Sequence, residues 1–461
     1  MTIKKQYSIH MKQATIIGAG LVGSLWAVYL AKEGYKVNVY ERRPDMRKAN
    51  MSAGKSINLA TSYRGWKALD AVGIGDEIRK IAIPMYGRTM HTLKGDTNYQ
   101  PYGINDQAIY SVSRGEINAK LMDLSEQNPN VKIFFNEECV NVDLEKGISF
   151  FKNTQTGALS EVTADVVFAT DGAFSAARYN AMQKLDRFSY SQNYIEDGYR
   201  EILLPANADG SYKLEKNTLH IWPRGRFMLI ALPNFDGSFT CTLFMPFDGH
   251  EHCFNKLTSN DKVEDFFKEV FPDFFNMMPN VADAWGDHPL SSLAIIRCYP
   301  WYHGKVMLMG DAAHATVPFF GQGMNCGFED CTVMWELMKK YNEDWKKIGE
   351  EYQVSRKPNG DAVQDLSVNN YLVMRNKVAD PEFLLLQKIE RRFSELYPDK
   401  YFPLYTMVSF TNIEYRTALE NGNAQENIIK ELINKHGITY DTSMITIDNI
   451  IHQQMTKNVL I

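Results

Sequence analysis

The sequence predicts an α/β chain in which a doubly wound parallel sheet is interrupted by an antiparallel sheet and followed by helices. Three observations predict it: a glycine-rich turn between an apolar run and a helical pattern near residue 18, an alternating apolar pattern within residues 183–292, and helical periodicity from about residue 325 onward. At 461 residues, 44% hydrophobic and 23% charged, the chain exceeds one hydrophobic core and has the composition of an ordinary globular protein.

The first element is "ATIIGAGLVGSLWAVYLAKEGYKVNVYERR" (14–43), an apolar run, a glycine turn, a helix closing on Gly34 and a second β-branched run ending at Glu41. Gly18, Gly20 and Gly23 give GxGxxG at the strand-to-helix turn of this βαβ unit, a Rossmann-like arrangement. The glycines allow a tight turn and close backbone approach to a pyrophosphate seated on the helix N-terminus. Glu41 lies where a carboxylate can take the ribose hydroxyls of an adenosine, and it would repel a 2′-phosphate, so the turn suits FAD or NAD rather than NADPH.

Two further buried-strand patterns decide between them. "ADVVFATDGAFS" (164–175) and "GKVMLMGDAAH" (304–314) both end in a turn carrying Asp and Gly, for which an NAD dehydrogenase has no use. Asp311 can accept hydrogen bonds from ribityl hydroxyls, and the helix opened by "GQGMN" (321–325) aims free N–H groups and a positive dipole end at a reduced flavin. FAD is therefore the expected cofactor, with Gly321 and Gly323 letting the backbone approach its rings. Phe319 and Phe320 are expected to wall a dry pocket over it, and His314 is read as structural.

Between the second and third strand patterns the sequence alternates, as in "LHIWPRGRFMLIALP" and "SFTCTLFMPF", which predicts an antiparallel sheet with one face on a core or pocket. Later come the helical segments "CGFEDCTVMWELMKKY", "DWKKIGEEYQVSRK", "PEFLLLQKIERRFSELY" and "NAQENIIKELINKHG". The expected division is a cofactor domain in three pieces, 11–75, 109–182 and 293–345, a substrate domain in two, 76–108 and 183–292, and a C-terminal helical region, 346–461, closing the substrate pocket.

Composition excludes several classes. With 50 basic and 55 acidic residues, nucleic acid is not expected as a partner. The six cysteines form no CxxC pair and no zinc spacing, so neither disulfides nor a metal is expected and a cytoplasmic setting fits. "MTIKKQYSIHM" has no apolar signal-peptide core, and no run of 18 apolar residues predicts a membrane span, the tail "DNIIHQQMTKNVLI" included.

The three turns, with "SVSRGEIN" (111–118) between the first and second, resemble the group A flavoprotein aromatic hydroxylases. "GKSINLATSYRGWKAL", "NNYLVMRNKV", "LHIWPR", "FTCTLFMPF", "VPFFGQGMN" and "FPLYTMVSF" resemble the kynurenine 3-monooxygenase family within them, over about residues 14–416. The resemblance implies hydroxylation of L-kynurenine to 3-hydroxykynurenine with NADPH and O2, through a flavin C4a-hydroperoxide, in tryptophan catabolism or NAD biosynthesis. It implies that Arg88 of "PMYGRTMHTL" holds the substrate carboxylate, assisted by Tyr102 of "QPYG", Asn370 and Tyr405. A planar guanidinium suits that task because it grips a carboxylate bidentately. Around the flavin it implies Arg114, Asp311, Met324 and Asn325, with Pro318, Phe319, Phe320 and Gly321 forming the oxygen pocket. Val22, Arg42, Arg43, Ala60, Cys139, Asp171 and Gly310 complete the expected cofactor contacts.

No side-chain base is expected, since an aniline nitrogen already activates its ortho carbon. No second dinucleotide fingerprint marks NADPH docking, so NADPH is expected as a transient co-substrate. Eukaryotic members continue into an apolar anchor where this chain ends in a polar helix, so a soluble, bacterial-type member is expected. Two other readings are a hydroxylase of another aromatic acid and a flavoprotein sensor without turnover. The absence of WxWxIP speaks against a flavin halogenase.

Overall fold

A computed structural model describes residues 11–48, 58–103, 106–377 and 380–456. Most of "MTIKKQYSIHM", the "GKSI" of the second quoted motif, the last residue of "NNYLVMRNKV" and the final "KNVLI" lie outside them.

A six-stranded sheet forms the base, in the order Tyr302–His303, Val306–Leu308, Val166–Ala169, Gln13–Ile17, Lys36–Glu41, Val131–Phe135. All neighbours run parallel except the short first pair. Its central strands are buried on both faces, as a parallel sheet under helices requires. One consequence places the chemistry. Ile17 is in register with Tyr40 and Ala169, and Ala169 with Leu308, so the turns that follow these strands emerge along one edge.

The second large sheet has seven strands: Ser291–Tyr299, Ser189–Leu204, Phe239–Pro246, Met228–Pro233, Leu219–Pro223, Gly87–His91 and Thr97–Pro101. Only Leu219–Pro223 and Gly87–His91 pair in parallel. The sequence pattern called for one covered face, but all eight residues of Phe239–Pro246 are buried. Phe239, Cys241, Leu243 and Met245 pack on the helices Asn260–Val270 and Pro272–Met277, while Phe244 turns the other way toward Phe319. Two three-stranded sheets complete the β structure, Leu159–Thr163 with Ile148–Asn153 and Glu137–Asp143, and Asn58–Thr61 with Ile109–Ser113 and Ile83–Met85.

The helix Gly323–Tyr341 comes after the base strand Val306–Leu308, and Trp345–Leu372 packs along it. The second of these runs through Pro358, where the sequence pattern stops at Lys357. Pro358 removes the hydrogen bond to Val354, which is exposed and can be hydrated, and Asn359 Nδ2 donates to Ser355 O at 3.0 Å. Pro381–Leu396, Tyr415–His436 and Met444–Met455 form a separate C-terminal core, and Leu404–Phe410 returns from it to the centre of the molecule. Among the described residues no helix is long and apolar enough to cross a membrane.

Candidate active site

The edge where the parallel strands end opens into a cavity of about 480 Å³, which reaches across to the seven-stranded sheet. That volume is in the range of small-molecule and cofactor sites. Gly18, Gly20 and Val22 line one end of it, with Glu41, Arg42 and Arg43 from the next strand end. Gly18 has φ +96, which only glycine adopts readily, and a methyl added at Gly20 would meet nothing within 4 Å. The helix Leu21–Lys32 has no side-chain cap and no acidic residue in its first turn, so its first N–H groups face the cavity end free. Glu41 is buried and already accepts from Ala19 N at 3.0 Å and from Arg43 Nε at 2.7 Å.

Farther along, Ala60, Arg114, Cys139, Asp171 and Asp311 line the wall. Asp171 Oδ2 accepts from Ala176 N and Ala177 N, while its Oδ1 is buried without a partner among the described residues. Burial pushes the Asp171 carboxyl up from its ordinary value against these hydrogen bonds. Asp311 opens the short helix Asp311–His314, and its exposed carboxylate makes no hydrogen bond to another described residue. An uncapped helix start, a bare glycine wall and two carboxylates with open acceptor atoms fit the phosphates and hydroxyls of a flavin dinucleotide.

Pro318–Phe320 forms a single 3-10 turn and Gly321 follows at φ +66, all four lining the cavity, with Gly323 and Met324 beside them. Phe319 and Phe320 are each 7% exposed. Phe319 stacks on Tyr371 with centroids 3.8 Å apart and meets Phe244 edge-on, and Phe320 stacks on Tyr405 at 5.5 Å.

At the far end stands Arg88, half-buried on the strand Gly87–His91, with its guanidinium 5.3 Å from the ring centroid of Tyr102 and 5.0 Å from that of Tyr405. The two rings stack at 5.0 Å. Among the described residues no carboxylate pairs with Arg88. The Tyr102 hydroxyl is buried and makes no hydrogen bond of ordinary geometry there. Burial raises both tyrosines above their ordinary range, against the nearby Arg88 charge, so both keep their protons at neutral pH. Asn370, at the end of Trp345–Leu372, also lines the cavity and donates to Phe319 O at 2.7 Å. The structure thus brings Arg88, Tyr102, Asn370 and Tyr405 to one chamber from two distant stretches of the chain, 88–102 and 370–405.

Three predicted residues stand behind the wall instead of lining it. A methyl at Gly23 would lie 2.0 Å from Gly18 O, and one at Gly310 2.9 Å from Val22 Cγ2, so both glycines serve close packing beneath the turns. Asn325 is fully buried, donating to Ala60 O and Gly321 O at 2.8 Å each and accepting from Ser62 N. His314 is also buried behind the wall, with Nε2 2.6 Å from Asp330 Oδ2. Burial alone would raise Asp330, but the His314 and Arg356 charges hold its carboxyl at about 2. His314, Cys326 and Asp330 offer ligand atoms within 4.8 Å of one another, yet the Arg356 guanidinium already bonds Asp330 and the Cys326 carbonyl.

The sequence reading did not name the apolar floor: Leu219 and Ile221 on one strand, Met228, Ile230 and Leu232 on the next, and Phe244. The signal was present as the period of two in "LHIWP" and "MLIALP", whose other set, Trp222, Leu229 and Ala231, faces the opposite core. No His, Asp or Glu lies among these floor residues or beside Arg88 in the chamber wall.

A family model described as "FAD binding domain" matches residues 11–367. A kynurenine 3-monooxygenase of Flavobacterium johnsoniae is 49% identical over 443 residues, covering 96% of this chain and 98% of that protein. One from Dictyostelium discoideum is 40% identical, covering 97% and 98%, and one from Sus scrofa 42%, covering 91% and 88%. Among solved structures, 2-methyl-3-hydroxypyridine-5-carboxylic acid oxygenase superposes with a TM-score of 0.66 at 18% identity, covering 82% of this chain and 96% of that one. The p-nitrophenol 4-monooxygenase of Pseudomonas putida gives 0.63 at 18% identity, covering 89% and 96%.

Proposed function

The chain belongs to the kynurenine 3-monooxygenase family of FAD-dependent aromatic hydroxylases, and from that premise we propose how its own residues carry the reaction. The reaction consumes L-kynurenine, NADPH, H⁺ and O2 and yields 3-hydroxykynurenine, NADP⁺ and water. Bound FAD supplies the two-electron chemistry with NADPH and the transfer of one oxygen atom. Gly18, Gly20, Glu41, Asp171 and Asp311 are the residues that would hold it along the edge of the parallel sheet.

The observation that carries the substrate reading is the Arg88 guanidinium, flanked by Tyr102 and Tyr405 and lacking a carboxylate partner among the described residues, at one end of an otherwise apolar chamber. It suits an amino-acid carboxylate, with Tyr102 and Tyr405 donating from their protonated hydroxyls. The aromatic ring of the substrate then lies along Leu219, Ile221, Met228 and Phe244, toward Phe319. Asn370 and the phenylalanine pair keep water from that end. With no His, Asp or Glu among the described floor residues Leu219, Ile221, Met228, Ile230, Leu232 and Phe244, ring activation is left to the substrate's own amino group. We place the reaction in a reducing cytoplasm, supported by six cysteines that are all buried and free.

The test is turnover with product identification. NADPH oxidation by the FAD-loaded protein is expected to accelerate with L-kynurenine and to yield 3-hydroxykynurenine. Acceleration with peroxide as the sole product makes kynurenine an effector, and no acceleration removes the substrate assignment.

A further inference from the structure

The end of Trp345–Leu372 and the π-helical turn Val373–Lys377 carry two cavity-lining side chains, Asn370 and Met374, and one that the reaction above does not use, Arg375. The Arg375 side chain is 11% exposed, and its Nη1 lies 3.1 Å from Oδ2 of Asp197, whose side chain is 3% exposed. The same guanidinium lies 4.8 Å over the ring of Tyr371. Tyr371 in turn is stacked on Phe319, whose carbonyl is held by Asn370. One turn of chain therefore grips both the ring and the backbone of a residue in the chamber wall, and Arg375 ties that turn to the sheet.

The sheet is shaped to receive it. Pairing of Ser189–Leu204 with Ser291–Tyr299 breaks after Tyr194 and resumes at Gly198, a bulge that contains Glu196 and Asp197. Bulges re-aim side chains and occur next to active sites, as π-helical turns do. Glu196 faces outward to Arg226 and His250, while Asp197 faces inward. Burial pushes the Asp197 carboxyl up and the Arg226 charge opposes this, but Arg226 Nη1 is 3.8 Å away, farther than Arg375. A carboxylate this buried needs a close cation.

We propose that Arg375 is a positioning residue for hydroxylation: the Arg375–Asp197 pair latches the helix end so that Phe319 and Asn370 keep the oxygen chemistry dry. This rests on the reading of those two residues as chamber wall. When the latch opens, NADPH, H⁺ and O2 give NADP⁺ and H2O2, and kynurenine leaves unchanged.

In the FAD-loaded full chain, Arg375→Gln is expected to lower the 3-hydroxykynurenine formed per NADPH severalfold, with the missing oxygen recovered as H2O2, while KM for kynurenine moves less than about twofold. Asp197→Asn is expected to do the same, and the double variant to lose no more than either single one. Arg375→Lys keeps the charge but not the planar stack and recovers part of the coupling. Additive losses, or unchanged product per NADPH in a folded Arg375→Gln protein, overturn the latch. So does a variant that loses only melting temperature and FAD content. If the wild type itself shows no acceleration with kynurenine, the substrate reading fails instead. The latch is then read from amide hydrogen exchange in the FAD-loaded protein without substrate: residues 317–321 exchange faster in Arg375→Gln, and equal exchange overturns it.

Discussion

Arg88 and the glycines of the first turn show how single residues divide the work. On the proposed role of Arg88, Arg88→Ala removes a charged, two-pronged contact while leaving the apolar floor intact. With hydrogen bonds to charged groups contributing about 1.5–3 kcal/mol, KM for kynurenine is expected to rise roughly 10- to 100-fold. Steady-state kinetics checks this, and an unchanged KM removes Arg88 from the clamp. Gly20 and Gly23 stand three residues apart with opposite consequences. A methyl at Gly20 meets no protein atom within 4 Å but projects from the turn that lines the cavity. Gly20→Ala is therefore expected to fold normally and bind FAD poorly. A methyl at Gly23 would lie 2.0 Å from Gly18 O and 2.5 Å from Thr170 Oγ1, so Gly23→Ala forces strand and helix apart at a cost of roughly 1–3 kcal/mol or more. Thermal melts with and without FAD separate the two effects.

At the scale of elements, the parallel strands Gln13–Ile17, Lys36–Glu41, Val166–Ala169 and Val306–Leu308 and their turns were legible because a strand buried on both faces reads as an unbroken apolar run ending in Gly or Asp, whereas the edge strand Val131–Phe135, with an exposed Lys132, was not. The chamber floor was written just as plainly in alternating residues, but alternation alone does not say which set faces a ligand. Trp222 and Ile221 are equally apolar, and only the helices behind the sheet decide between them. The passage of Trp345–Leu372 through Pro358 was not legible, since it depends on Val354 standing exposed and on packing beneath. Nor was the polar seam behind the floor, where His220 Nε2 bonds Glu215 O at 2.8 Å, His220 Nδ1 meets His91 Nε2 at 2.9 Å, and His91 Nδ1 meets Asp273 Oδ2 at 2.9 Å. Burial lowers His220 from 6.5 to about 4, the Glu215 carbonyl opposing and the His91 charge assisting. Between those values the unfolded chain binds a proton that the folded chain refuses. Stability is thus expected to fall as pH drops from 6.5 toward 4, by up to about 3 kcal/mol from this group. Urea unfolding at pH 7 and pH 4.5 checks this, with His220→Gln expected to flatten the dependence; identical slopes in the two proteins remove His220 as its source.

Across the whole molecule, the cavity is lined by residues from Ile17 to Tyr405, drawn from both large sheets, the long helix and the short helix that returns from the C-terminal core. A strand end, the turn Pro318–Gly321 and the proposed substrate clamp, far apart in sequence, become neighbours because the parallel register sends the first strands' turns to one edge and the seven-stranded sheet lies across it. That arrangement leaves the walls of one cavity dependent on separate pieces of chain, and a cofactor filling it ties them together. FAD is therefore expected to raise the melting temperature in a concentration-dependent way, by about 2.7 kcal/mol of stabilisation at 100 times its Kd. Calorimetry of FAD-free protein titrated with FAD measures it. Gly20→Ala should melt like the FAD-free wild type and shift only at much higher FAD, because the added methyl enters the cavity proposed to hold the cofactor and meets no protein atom within 4 Å. A wild-type melting temperature independent of FAD would mean that the cavity walls are held by protein contacts alone.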